Sequence, residues 1–327
     1  MTEASTSPLT TRRALLLAKL AVSGILLAVL FWKVDRAAFL RSVQTLPVPL
    51  FLGCVALSAL GYILSTIRWQ CLLLAEGIRL PFWRLLLVYF EGAFCNLFLP
   101  TLIGGDVVRG YFIYRLTQGH DASIPSILVD RLSGFATLML IAVGGLAFTY
   151  GKLNDPQASA LIAGVAAFFV GLMLVLLNDR LKDVVSGLLR AAGLARFQAK
   201  LQGMVDALQR YRRHRLAVGQ ALVLSALLQV LIIVTYYLIG AALHVGVPFA
   251  YFLVLVPLIT VVSMLPISIV GLGVREAGVI YFFGKFGVGP ATALGMSLAW
   301  FSLTLIMNSL GGVAFLLDTH AAKRVGN

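Results

Sequence analysis

LPTLIGGDVVRG, residues 99–110, sets a proline, two adjacent glycines, an aspartate and an arginine at the end of an apolar run. The run before it, Leu85 to Leu99, is apolar apart from Glu91, and the chain resumes afterwards as VVRGYFIYRL. Neither half is long enough to cross a bilayer, which takes about 20 apolar residues for roughly 30 Å of hydrocarbon. Proline removes a backbone donor and glycine loosens a helix, so the stretch predicts a broken helix or re-entrant hairpin. Irregular backbone at membrane depth has to line a cavity, since lipid cannot satisfy its polar groups. A second segment has the same character: Tyr251 to Leu265 breaks at Pro266, passes through PISIVGLGVRE and resumes as AGVIYFFGKFG.

The rest of the chain sets these two segments in a membrane protein. Of 327 residues, 60% are hydrophobic and 12% charged, and the mean hydropathy is +0.96, a composition that excludes a soluble domain. Six stretches read as complete spans: Ala14 to Trp32, Leu50 to Ile67, Leu132 to Tyr150, Ala158 to Leu177, Leu216 to Ile239 and Ala291 to Leu317. The expectation is an all-α polytopic protein of about six full spans plus two hairpins. Residues 14–317 form one membrane domain, between a tail at 1–13 and another at 318–327. Arg12 and Arg13 precede a first run too long for a signal peptide and without a small-residue cleavage site, so an uncleaved anchor is expected.

The two hairpins superpose in register. Leu99, Pro100, Ile103, Gly105, Val108 and Arg109 fall on Leu265, Pro266, Ile269, Gly271, Val274 and Arg275, each pair 166 positions apart (265 − 99). One slip later, Gly144-Gly145 matches Gly311-Gly312, and Ser58-Ala59-Leu60 matches Ser225-Ala226-Leu227, both at 167. This predicts an internal repeat, with copies at about 50–150 and 216–317. Residues 178–215 carry nine Lys and Arg against three Asp, which puts them in the cytoplasm by the positive-inside rule. Counting spans outward from there inverts one copy relative to the other and leaves both termini cytoplasmic. The loop with Lys33, Arg36 and Arg41 against Asp35 runs against this count, and the more heavily charged central segment outweighs it. Inverted halves, each with a broken helix, are a construction of secondary transporters, in which the breaks meet near the midplane.

A charge at the bilayer centre costs roughly 2.5–3.5 kcal/mol on insertion scales, so charges placed there are functional candidates. Gly104, Gly105, Asp106 and Arg109 in the first hairpin and Gly271, Gly273, Arg275 and Glu276 in the second are the expected headgroup site. Arginine forks match a phosphate, and helices resuming at Val107 and Val274 would present free N–H groups to it. The competing reading pairs Arg109 with Asp106 and Arg275 with Glu276 merely to hold the hairpins. Glu91 is a candidate cavity or proton site, and Asp130 and Arg131, expected to open a span, are either cavity residues or an interfacial ion pair. Trp69, Trp83, Tyr236 and Tyr237 suit interfacial belts or helix packing.

Other chemistry finds little support. The net charge of +13 comes without a nucleic-acid motif, and cytoplasmic loops facing anionic headgroups account for it. Cys54, Cys71 and Cys95 have no CxxC spacing, the four histidines are scattered, and no P-loop occurs, so no metal, cofactor or ATP hydrolysis is expected. Residues 178–215 contain two amphipathic stretches suited to a headgroup plane, or to simple topological anchoring.

LPTLIGGDVVRG followed by DRLSG, and later LPISIVGLGVREAG, resemble the flippase-like membrane domain of lysylphosphatidylglycerol synthases, which also occurs alone in prokaryotic inner-membrane proteins. The resemblance runs from about Leu15 to Leu317 and rests on the paired GGDxxR and GxGxRE motifs. It implies lipid translocation, with an aminoacylated or other anionic phospholipid, or a polyprenyl-linked lipid, as cargo, in a bacterial or archaeal cytoplasmic membrane. The chain ends ten residues (327 − 317) after the last expected span, so the soluble synthase domain and its activity are not expected. Two alternatives stay open: a membrane-embedded transferase on a lipid-linked substrate, which lacks the usual DxD or DDxxD carboxylates here, and a scaffold recruiting a lipid-modifying enzyme. A homodimer is compatible with either.

Overall fold

The computed structural model describes residues 46–98, 104–117, 123–149, 178–264 and 271–325, with isolated positions at 37, 44 and between 160 and 175. The first expected span, most of the one at 158–177, and the breaks at 99–103 and 265–270 lie outside the described residues. The described residues form ten helices and no strand: α1 (Val48–Ala75), α2 (Phe82–Phe98), α3 (Gly104–Leu116), α4 (Ser123–Thr149), α5 (Asp179–Ala191), α6 (Ala195–Tyr211), α7 (Arg215–Ala242), α8 (Phe249–Ser263), α9 (Val274–Gly284) and α10 (Pro290–Val325).

Four of these are long and apolar enough to cross a membrane, at Val48–Ala75, Ile124–Phe148, Arg215–Ala242 and Pro290–Gly312. The protein is thus a multi-pass helical membrane protein. Two helices overrun the expected spans in ways that matter for the site. α1 continues past Ile67 through Arg68 to Ala75, and α4 begins at Ser123, so Asp130 and Arg131 lie two turns inside it instead of opening it. A window that stops at the first charge cannot see that the helix continues when partners satisfy that charge. α10 likewise stays helical to Val325, through most of the expected C-terminal tail.

The packing is reciprocal. α1 and α7 lie side by side and antiparallel: Gly61 meets Leu228 and Leu231, and further along α1 Arg68 reaches back to Ser225. α10 crosses α2 where Gly311 and Gly312 face Phe90 and Phe94, and α4 crosses α8 where Gly145 faces Leu253 and Val254. α10 therefore packs on α2 and α4 on α8, and in both cases glycine permits the close approach.

α6 lies across one end of this bundle. Leu201 and Val205 pack with Leu132 and Leu128 of α4, and Tyr211 and Ala207 pack with Leu72 of α1 and Ala221 of α7. The Tyr211 hydroxyl donates to the Leu72 carbonyl at 3.0 Å, and Arg210 pairs with Glu76 at 3.7 Å. Burial, reinforced by nearby Glu76, pushes the Tyr211 phenol pKa up, so it stays a neutral donor. Tyr211→Phe is expected to lower stability by about 1 kcal/mol with no change of fold, measured as a shift in thermal unfolding in detergent.

Candidate functional site

Five charged side chains from three helices converge beside the first hairpin. The guanidinium of Arg68 on α1 donates from Nε to Asp130 Oδ1 at 2.7 Å and from Nη1 to Ser225 Oγ on α7 at 2.8 Å. Arg131 grips Asp106 with a two-pronged contact, Nε to Oδ2 at 2.7 Å and Nη2 to Oδ1 at 2.9 Å, the geometry that suits a guanidinium and a carboxylate best. Arg109 lies between the two carboxylates, with Nη1 3.2 Å from Asp106 Oδ1 and Nη2 3.5 Å from Asp130 Oδ2. Three guanidiniums against two carboxylates leave this group one positive charge in excess.

Arg109 is almost fully buried, with its guanidinium over the Trp69 ring at 4.1 Å and the Tyr89 ring at 4.2 Å, the two rings set at 67° to each other. Cation–π contact with two aromatic rings steadies a buried cation without spending its N–H donors. Among the described residues its Nε and Nη2 donate no hydrogen bond, Nη2 having only the longer ion-pair contact to Asp130. Trp69, for which interfacial belt and helix packing were the two readings, is fully buried in the packing between helices.

These charges edge a half-open cavity of about 340 Å³ whose remaining lining comes mainly from α1, α2, α7 and α10. Asp106, Arg109 and Arg131 line it together with Asn96, Tyr62 and Asn308, while Leu228, Leu231, Leu303 and Met307 supply apolar wall. The side chain of Arg131 is 39% exposed, so the excess charge is accessible. Tyr62 donates to Asn308 across the chamber, and Phe90 stacks on the Tyr62 ring at 4.9 Å.

The hairpin is held by close contact. Gly105 sits so near α2 that an added Cβ would meet the Gly92 carbonyl oxygen at 2.1 Å. Its N–H donates to Asn96 Oδ1 at 2.7 Å. That donor is used within the fold, and the helix starts at Gly104 instead of at the expected Val107. Gly104 is buried beside it.

The second hairpin is arranged differently. Gly271 and Gly273 adopt φ of +72° and +83°, the left-handed turn that leads into α9. Glu276 accepts from Gly273 N at 2.6 Å through Oε2 and from Arg275 Nε at 3.0 Å and Ser297 Oγ at 3.1 Å through Oε1. Here one guanidinium meets one carboxylate, with no excess charge. Neither Arg275 nor Glu276 is among the described residues lining the cavity. Glu276 and Ser297 hold Arg275 against α10, and the Tyr236 and Trp300 rings, stacked at 4.2 Å, pack nearby. Glu91 is buried on α2 but is likewise not among the lining residues. Of the two carboxylate–arginine pairings considered from sequence, both form.

Sequence reading missed Arg68, Tyr89, Ser225 and Ser297. Arg68 follows an apolar span without a break in helical pattern, so the one available signal was a cation directly before Trp69.

A helical membrane protein with a charged, aromatic-lined chamber among its spans is the class these features define. Residues 16–312 match the family described as Lysylphosphatidylglycerol synthase TM region, and the chain belongs to that family. It is also similar to a UPF0104 membrane protein of Methanothermobacter thermautotrophicus, at 24% identity over 282 residues, covering 80% of this chain and 83% of that protein. No solved structure matches.

Proposed function

We propose that the chain translocates an anionic lipid headgroup, on an aminoacylated or other phospholipid or a polyprenyl-linked lipid, through the chamber beside Arg109 and Arg131. The observation that carries this reading is a buried Arg109 at the edge of a cavity whose Nε donates no hydrogen bond among the described residues and whose Nη2 has only Asp130 Oδ2 at 3.5 Å. A buried cationic group with free donors is costly unless an anion completes it. A phosphate oxygen meets that need, and the apolar wall accommodates acyl chains beside it.

The transport architecture is two inverted halves. Antiparallel α1 and α7, and the packing of α10 on α2 and of α4 on α8, support it. So does the placement of the charged groups: the first lies level with Ser225 and the second beside Tyr236, eleven positions (236 − 225) further along α7, or about 16 Å at 1.5 Å per residue. In this reading residues 178–215 and both termini are cytoplasmic and the membrane is the prokaryotic inner membrane. The first group then faces the cytoplasmic side and the second the opposite side.

Arg131→Gln tests the reading, because Arg131 is the most exposed of the three guanidiniums. Losing a charge-assisted bond of about 1.5–3 kcal/mol should slow leaflet exchange of a phosphatidylglycerol reporter in proteoliposomes about tenfold or more. The variant should remain monodisperse in detergent. An unchanged rate in a folded variant would refute the role, and chemical conversion of a lipid-linked substrate in the same vesicles would favour a transferase.

A further inference from the structure

We propose that α5 and the first turn of α6 form a docking surface for an anionic leaflet, with their outward apolar side chains immersed at headgroup depth. The inference stands apart from the transport reading and rests on other residues.

α5 is a well-made helix: the Asn178 side chain caps it, accepting from the N–H groups of Arg180 at 3.0 Å and Leu181 at 3.4 Å. Its apolar residues occupy an arc of roughly 160°, from Ala191 through Leu181 to Leu189, at 100° per residue. The protein covers only one edge of that arc, where Val185 and Leu189 pack with Leu201 and Val205 of α6. Val184 and Leu188 remain 59% and 65% exposed. After a tight turn at Gly193, where φ is +69°, Phe197 extends the apolar face at 60% exposure. A half-covered apolar arc of this width needs a second apolar environment.

Position identifies that environment. α6 packs on α4 at Leu128 and Leu132, whereas Ile124, four to eight residues nearer the end of the span, is still 74% exposed. Leu216, at the same end of α7, is 79% exposed. The lipid-facing belt of the bundle therefore extends beyond the level at which α6 is anchored, and α5 with α6 lies in the interface instead of out in water. A protein partner would have to enter the headgroup layer to reach this face.

Charge identifies the leaflet. Arg180 is exposed beside the apolar arc and Arg190 is exposed on the polar face opposite it, and the whole 178–215 segment carries six positive charges in excess (9 − 3). Basic residues flanking an apolar helical face favour anionic headgroups.

Site-directed spin labels in the full chain test this. Cys54, Cys71 and Cys95 are replaced by Ala, and single labels are placed through Leu188→Cys, Phe197→Cys and, on the polar face, Asp183→Cys. In nanodiscs containing phosphatidylglycerol, the labels at 188 and 197 should be several-fold less accessible to a water-soluble nickel reagent than the label at 183, and more accessible to oxygen. In phosphatidylcholine alone, or with Arg180→Glu and Arg190→Glu added, that contrast should shrink. Equal aqueous access at all three positions, contrast unaffected by lipid charge, or dipolar broadening from a second copy would each overturn the proposal. If the cysteine-free chain fails to fold, Leu188→Trp and Phe197→Trp in the native background, read by quenching with brominated phosphatidylglycerol, decide the same question.

Discussion

Asp130→Asn is expected to lower the stability of the folded chain by about 3–5 kcal/mol, the cost of removing one partner from a buried ion pair. Asp130 is the carboxylate that Arg68 holds at 2.7 Å and that faces Arg109 Nη2 at 3.5 Å. Without its charge, Arg68, Arg109 and Arg131 share a single carboxylate, Asp106, in a site with little water. The net charge of the cluster rises from one to two, and Arg68 and Arg109 repel each other through a medium of low dielectric. Thermal unfolding in detergent measures the effect, and Arg131→Gln is the comparison. Arg131 reaches solvent and Asp106 keeps Arg109 as a second partner, so its loss should cost less stability than Asp130→Asn while slowing transport. Equal unfolding temperatures for Asp130→Asn and the native chain would show that the network is not what holds α1, α3 and α4 together.

Gly105→Ala should be nearly as damaging, by about 3 kcal/mol, through a different cause. An added Cβ would lie 2.1 Å from the Gly92 carbonyl oxygen and 2.6 Å from Asn96 Nδ2. The first of these atoms is backbone, which cannot turn aside as a flexible side chain can, so α2 and α3 must separate. Arg109 shares the contact, since its Cγ is 2.6 Å from a Cβ placed on Gly92, and its seat against Trp69 and Tyr89 would open as well. Gly144→Ala is the contrasting case: nothing lies within 4 Å of a Cβ there. It sits in the interior of α4, and alanine should stabilise the helix by up to about 1 kcal/mol. Unfolding midpoints for the two variants in the same detergent should therefore move in opposite directions. If Gly105→Ala were neutral, the close packing of the hairpin would be wrong.

The contrast between Gly105 and Gly144 marks how far the sequence could be read. That this is a helical membrane protein was legible from composition and run length, because hydrocarbon imposes the same demand on every spanning segment whatever its neighbours. The hairpins were legible because proline and glycine act locally on the backbone. The candidate charges of the first hairpin were legible too, since an aspartate and an arginine amid apolar residues carry a solvation cost that needs an explanation. Asp130 and Arg131 could be picked out for the same reason, although their depth inside α4 could not.

What sequence could not supply is which groups meet. Arg68, from α1, and Ser225, from α7, are 157 positions apart and join one network. Trp69 and Tyr89 contact Arg109 from separate helices. Equal register suggested equal roles for Arg109 and Arg275, yet one meets two carboxylates, two rings and a cavity, while the other is neutralised by the residue next to it. Insertion cost is a property of a segment and can be read along the chain. Pairing, stacking and cavity formation depend on distances between helices, and tertiary packing alone determined that the surplus charge lies beside the first hairpin.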